Sequence, residues 1–306
     1  MKKSIIKIVS ALSISLSFMF LSSCQILGIV DSRGNVNMEK VIDMTFSAAE
    51  GISNTVEAAQ GITPEVGYLI GRSAAATILQ QYDLYDNPEL TEYVNMICKV
   101  LTMHSPLPYL YKDYCVAILD SPEINAISTP GGHILISKGL IESTTSEDAI
   151  AAVLAHEISH IQLGHSAKAI DRSRTASAFF GGLKNVTSVT FEDTGLEFLG
   201  EGANMLAEAS NDFVDFTLNT GYSQSQEYEA DKNALILMTN AGYNPYAMLD
   251  MLKAIDNNEH TGWGKTHPSA KNRLKRVEKE LTEGEFPHID MEKRIGRFEY
   301  QHDMIY

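Results

Sequence analysis

The sequence predicts an α+β fold, mainly helical, in which a small sheet with a hairpin edge precedes one central helix. Three observations carry that prediction. Apolar residues recur at helical spacing between Thr63 and Leu101, the pattern turns strand-like between Val116 and Ile141, and a capped helix with one apolar side opens at Thr145-Ser146. With 306 residues, 44% of them hydrophobic, the chain can form one large domain or two modest ones.

The first 23 residues stand apart. Lys2, Lys3 and Lys7 precede an apolar, Ser-dotted run from Ile8 to Leu21 that ends in Ser22-Ser23-Cys24, the layout of an export signal. A Cys in that position resembles the lipobox of bacterial lipoproteins and implies cleavage before Cys24 with diacylglycerol on its sulfur; an ordinary signal peptide or an N-terminal membrane anchor with an incidental Cys is the plainer alternative. Gln25, rather than Asp, after the Cys goes with outer-membrane sorting, so the expected location is the outer membrane, lipid-anchored and facing the periplasm. Residues 24–61 then read as a lipidated tether and a first helix. No later stretch reaches the roughly 18 apolar residues that a spanning helix needs.

From Thr63 to Leu101 the positions Leu69, Ile70, Ala74, Ile78, then Leu90, Val94, Ile97 and Leu101 define two helices broken at Asn87-Pro88. Val116-Ala117-Ile118-Leu119, Asn125-Ala126-Ile127-Ser128 and His133-Ile134-Leu135-Ile136 read as short strands, the last two joined at Pro130-Gly131-Gly132. Ser146 caps the next helix, with Glu147 and Asp148 in a first turn where acids complement the helix dipole. Residues from Ala167 to Gly221 are rich in Ala, Gly, Ser and Thr and suit either a mobile cover or loosely packed helices. Three more helices follow, from Ser225 to Asn240, from Pro245 to about Ile255 and from Pro268 to about Leu281. Domain boundaries accordingly fall at 62–281 for the folded unit and 282–306 for a tail of mixed charge that packs or wanders. Cys98 and Cys115 are either a disulfide or two buried thiols.

Chemistry concentrates in His156-Glu157-Ile158-Ser159-His160. Residues four apart on a helix lie about 40° apart on one face, so two imidazoles can grip one cation. Glu157 points aside, where it can act as base on the water that a Zn²⁺ ion would activate. A chance match to this pattern is expected on the order of a few hundredths of a time with this histidine content. The run His160-Ile161-Gln162-Leu163-Gly164-His165 misses by one position the extension that would make His165 a third ligand, leaving it a supporting or structural residue. A better third ligand is Glu227, in Ser225-Gln226-Glu227-Tyr228-Glu229-Ala230-Asp231, with Asp231 four residues on and able to accept from a ligand imidazole. Both acids are otherwise solvated groups on an amphipathic helix. Glu229, about 200° around from Glu227, is the poorer ligand. His267, at a helix start with Arg273 one and a half turns later, reads on its own as a capping residue.

Taken together, Asn125 to Ile134, Ala155 to His160, Glu227 to Asp231 and Thr266-His267-Pro268-Ser269 resemble the HtpX and CAAX prenyl protease family of gluzincin metallopeptidases, and more narrowly its soluble periplasmic lipoprotein branch. The resemblance runs from about Ile62 to Arg276 and implies a zincin-type domain with one Zn²⁺ per chain. It implies His156, His160 and Glu227 as ligands, Glu157 as catalytic base, Asp231 as the second acid of the pattern, and His267 as an oxyanion stabiliser or a latch on the metal. It also implies that Asn125, Ala126, Ile127 and Gly131 belong to an edge strand that binds extended peptides. The expected substrates are unfolded or misassembled envelope proteins, in protein quality control; the competing expectation is a zinc-retaining, chaperone-like or latent assembly factor. The formal charge of −15 argues against nucleic acid as a partner, and the membrane is reached through the lipid anchor.

Overall fold

The computed structural model describes residues 64–171, 206–256, 262, 266–268, 270–284, 286–303 and 305. The leader, Cys24 and the tether lie outside the described residues, as do residues 172–205 of the Ala- and Gly-rich stretch.

Two helices open the described chain, α1 (Pro64–Ile78) and α2 (Pro88–Met103). Asn87 accepts a hydrogen bond from the Leu90 N–H and Pro88 occupies the first turn, so the dipeptide that interrupts the apolar period also starts α2. A three-stranded sheet follows: β1 (Cys115–Leu119), β2 (Ala126–Ser128) and β3 (His133–Ser137). The spatial order is β1-β3-β2, with β3 parallel to β1 (Cys115 opposite His133) and antiparallel to β2 (Ala126 opposite Ile136). Beyond the predicted pieces the structure adds a short helix, α3 (Lys138–Ser143), capped by Ser137.

The pleat sorts the sheet's side chains between two layers. Val116, Ile118, Ile134 and Ile136 join α2 and the next helix in the larger core. Leu119, Ile127 and Leu135 face the other way, onto Leu69, Ile70, Ala74 and Ile78 of α1 and onto Leu206, Ala209 and Phe213. Each such aliphatic side chain contributes roughly 1.5–3 kcal/mol by its burial, which holds the sheet between its two helical layers.

The central helix is α4 (Glu147–Gln162), whose side chains from Glu147 to Ile161 are all buried. Ser146 caps it by accepting from the Ala149 N–H, as the sequence predicts. Next come α5 (His165–Asp171), α6 (206–215) with a π-helical turn at Phe216–Thr220, and α7 (Gln224–Asn240), which starts at a Ser223/Gln226 capping box and packs along α4. Two further helices, α8 (Ala247–Asp256) and α9 (Ala270–Glu283), cover the far side of the core.

The tail packs. It forms α10 (Glu292–Asp303) against α4 and α2. Cys98 and Cys115 are both buried, and no disulfide joins them to one another. Among the described residues no helix is long and apolar enough to cross a membrane.

Candidate metal centre

α4 and α7 bring the predicted histidines and acids together because both present four-residue pairs toward one another. His156, His160, Glu227 and His267 each place one donor atom within 4.8 Å of all the others, and all four are buried. His156 Nε2 lies 3.0 Å from His160 Nε2 and 3.2 Å from His267 Nδ1. Glu227 closes the group, with Oε1 3.4 Å from His160 Nε2 and 3.1 Å from His267 Nδ1, and Oε2 3.5 Å from His156 Nε2. Four ligands at about 2.0–2.1 Å around a tetrahedral cation have donor–donor edges of about 3.3 Å. The cluster has that size, and its donors, three imidazoles and a carboxylate, are those that zinc accepts.

The remaining predicted residues sit around it. Glu157 is buried on the same helix with Oε1 3.5 Å from His267 Nε2. Asp231, one turn beyond Glu227, puts Oδ1 3.1 Å from His156 Nδ1. His165 lies behind His160, its Nδ1 3.1 Å from His160 Nδ1. Read alone, His267 is a cap; in the fold it precedes α9, which begins at Ala270, and is turned inward.

Arg273, in the first turns of α9, is the functional group that sequence reasoning did not single out. Its side chain is fully buried and clasps both acids of α7: Nε and Nη2 donate to Asp231 at 2.8 and 2.6 Å, and Nη1 lies 2.6 Å from Glu227 Oε2. Its Nη1 also donates to the His267 carbonyl at 3.4 Å. A second such residue is Tyr222, buried and stacked on His160 with ring centroids 3.8 Å apart, its hydroxyl 3.1 Å from Ser166 Oγ. The only signal for Arg273 was its spacing from His267; an Arg on a highly charged amphipathic helix otherwise reads as solvated.

Electrostatics follow from these contacts. Burial resists the charge on Glu227, yet the adjacent His267 and Arg273 hold its carboxyl well below the usual range. Asp231 is held low in the same way by Arg273 against burial. His160 is pushed well below its ordinary value, first by burial and then, against Glu227, by the neighbouring imidazoles, so it is neutral, the form a cation requires. For His156, burial and Arg273 oppose protonation, but Asp231 and Glu227 outweigh them and raise it to about 9.

The candidate peptide-binding residues lie at the edge of the sheet. Ala126 and Ile127 belong to β2, which among the described residues pairs only with β3, and Asn125 precedes it. Ser137 N–H donates to the Asn125 carbonyl and Thr129 N–H donates to the His133 carbonyl, so in this register the backbone groups of Ala126 and Ser128 lie on the side away from β3, where both residues are buried. Gly131 has a packing reason of its own, since a Cβ there would stand 2.6 Å from the Tyr68 Cα of α1.

Comparison with known proteins adds independent findings. The model of the family described as peptidase family M48 matches residues 87–281. The mitochondrial metalloendopeptidase OMA1 of Schizosaccharomyces pombe is 28% identical over 200 residues, which cover 64% of this chain and 54% of that protein. The beta-barrel assembly-enhancing protease of Escherichia coli is 28% identical over 199 residues, covering 62% and 39%. Human OMA1 is 24% identical over 194 residues, covering 60% and 36%. The chain therefore matches about half the length, or less, of these curated relatives.

Proposed function

We propose, from the premise that the chain belongs to peptidase family M48, that it is a zinc-dependent endopeptidase acting on unfolded or misassembled proteins of a bacterial envelope, in protein quality control. The observation that carries this is the convergence of His156, His160 and Glu227 at tetrahedral spacing with Glu157 beside them. The beta-barrel assembly-enhancing protease among the relatives supports the envelope setting, and the Cys24 lipobox supports a lipid-anchored protein at the outer membrane.

Bound zinc supplies Lewis acidity toward a water molecule and a peptide carbonyl. His156, His160 and Glu227 would hold it. Asp231 accepts from His156 Nδ1 and fixes the tautomer that leaves Nε2 as the donor. Glu157 takes the proton of the attacking water and returns it to the leaving amine, so one carboxyl serves as base and then acid. An extended peptide added to β2 would pair with the backbone groups of Ala126 and Ser128 on the side away from β3, and both residues are buried in this arrangement. Hydrolysis of casein by the purified chain, abolished in Glu157→Gln while zinc remains bound at one per chain, is the expected result. Zinc-loaded wild type that cleaves nothing, before and after the change described next, would overturn it.

A second reading is favoured by one specific observation. His267 Nδ1 lies 3.2 Å from His156 Nε2 and 3.1 Å from Glu227 Oε1, where a fourth ligand would sit. In this reading the enzyme is latent and His267 is its latch, so His267→Ala raises casein hydrolysis; a role for His267 in stabilising the oxyanion predicts a fall.

A further inference from the structure

The two α4 histidines have different outer supports. Behind His156 stands Asp231, a buried carboxylate locked by Arg273. Behind His160 stands another imidazole. His160 Nδ1 lies 3.1 Å from His165 Nδ1, and His165 Nε2 lies 3.2 Å from Glu229 Oε2. A neutral imidazole has one N–H, and this decides the direction of the whole chain. With Nε2 of His160 offered to a cation, its proton is on Nδ1 and is donated to His165 Nδ1. The proton of His165 is then on Nε2 and is donated to Glu229, an acceptor only.

The backbone is built for this contact. Five residues along a continuous helix turn a side chain by about 140°, away from the starting face. Gly164, with φ 68°, breaks α4 and starts α5, so His165 returns to the edge of the His160 ring. A Cβ at Gly164 would meet nothing within 4 Å, so its φ and not its space calls for glycine. The next residue, Ser166, meets the Tyr222 hydroxyl, and Tyr222 covers the face of the same ring. Edge and face of His160 are thus both held from the first turn of α5.

We infer that Glu229, acting through His165, is a positioning residue for the metal centre: it sets the tautomers of His165 and His160 and thereby the hold on the cation. The inference rests on the zinc-site reading above. It also gives the centre a surface contact, since the Glu229 side chain is 62% exposed whereas that of Asp231 is 4% exposed.

The test uses the whole zinc-loaded chain and needs no substrate. Zinc transfer to the chelating dye 4-(2-pyridylazo)resorcinol is followed for wild type, Glu229→Ala, Glu229→Gln and His165→Ala. Loss of an outer partner typically costs about ten- to a hundredfold in metal affinity, so His165→Ala and Glu229→Ala release zinc faster by about that factor, Glu229→Ala at the lower end. Glu229→Gln keeps an oxygen acceptor and releases zinc near the wild-type rate. In ¹⁵N spectra of the histidines, wild type and Glu229→Gln show single tautomers for His160 and His165, and Glu229→Ala shows a mixture. Equal release from wild type and Glu229→Ala, or a Gln variant as fast as the Ala variant, overturns the inference and leaves the zinc site standing. A wild-type chain that binds no zinc overturns both.

Discussion

The acids that start α4 are held by the tail, and that contact can be priced from its geometry. Glu147 and Asp148 are buried. Arg294 of α10 donates to both Asp148 oxygens at 2.8 and 2.8 Å, and Arg297 donates to both Glu147 oxygens at 2.6 and 2.5 Å. Removing one partner of a buried ion pair costs about 3–5 kcal/mol when the other charge is left without support. Here support remains: Asp148 keeps the Asn244 N–H, Glu147 keeps the hydroxyls of Tyr93 and Tyr243, and both stay at a helix N-terminus. The Arg294 side chain is 16% exposed, so Arg294→Met costs about 2 kcal/mol; that of Arg297 is 56% exposed, and Arg297→Met costs about 1 kcal/mol. Met retains most of the apolar stem, which isolates the ionic part. In urea unfolding of the metal-free chain the two midpoints fall with unchanged slope, and each shift multiplied by that slope gives the stated cost. A double variant close to wild type, or a larger loss for Arg297 than for Arg294, would refute the claim that burial of the Arg decides the contact.

Two other outcomes follow from the structure. Arg273→Met leaves Glu227 and Asp231 buried without their guanidinium; the expected loss is about 3 kcal/mol or more in stability, together with weaker zinc binding by competition with the dye, and a folded variant with unchanged values would contradict the clasp. His133 is held at about 4 by burial and then by Arg72, below its ordinary value, so the folded chain favours the neutral ring. Between those two values the unfolded chain binds more protons, so this contribution is present above about pH 6.5 and lost as the pH falls toward 4, up to about 3 kcal/mol. Metal-free wild type should therefore lose more stability between pH 7.5 and 4.5 than His133→Gln, by about 2 kcal/mol; an equal loss in both chains would exclude His133 as the cause.

Much of the fold was legible because its signals are local. Asn87-Pro88 and Ser146 each begin a helix through a hydrogen bond set within three residues. The strands at residues 116 and 133 betray themselves by apolar runs, but their parallel pairing does not, since it depends on a crossover that no local pattern encodes. The tail shows the same limit. Its mixed charge suits solvent until Arg294 and Arg297 meet Asp148 and Glu147, about 150 residues earlier in the chain. No residue of α10 is itself fully buried, so no apolar stripe marks it as packed.

The metal centre divides along the same line, between what one helix dictates and what a junction of helices dictates. His156, Glu157 and His160 are tied by the pitch of α4, and Glu227 and Asp231 by that of α7, so each pair could be read before the two helices were known to touch. No short motif of helical pitch ties His267 and Arg273 to the ligand set in the way those pairs are tied. A histidine before a helix is as good a cap as a ligand, and an arginine among the charges of α9 is as good a solvated group as a clasp. What separates the readings is burial next to opposite charge: Arg273 enters the core only because Glu227 and Asp231 are already there to receive it. The reverse also holds, for two carboxylates facing imidazoles in a closed site need a fixed cation to remain ionised before any metal arrives. Arg273 supplies it, so the two carboxylates are kept ionised by the protein itself.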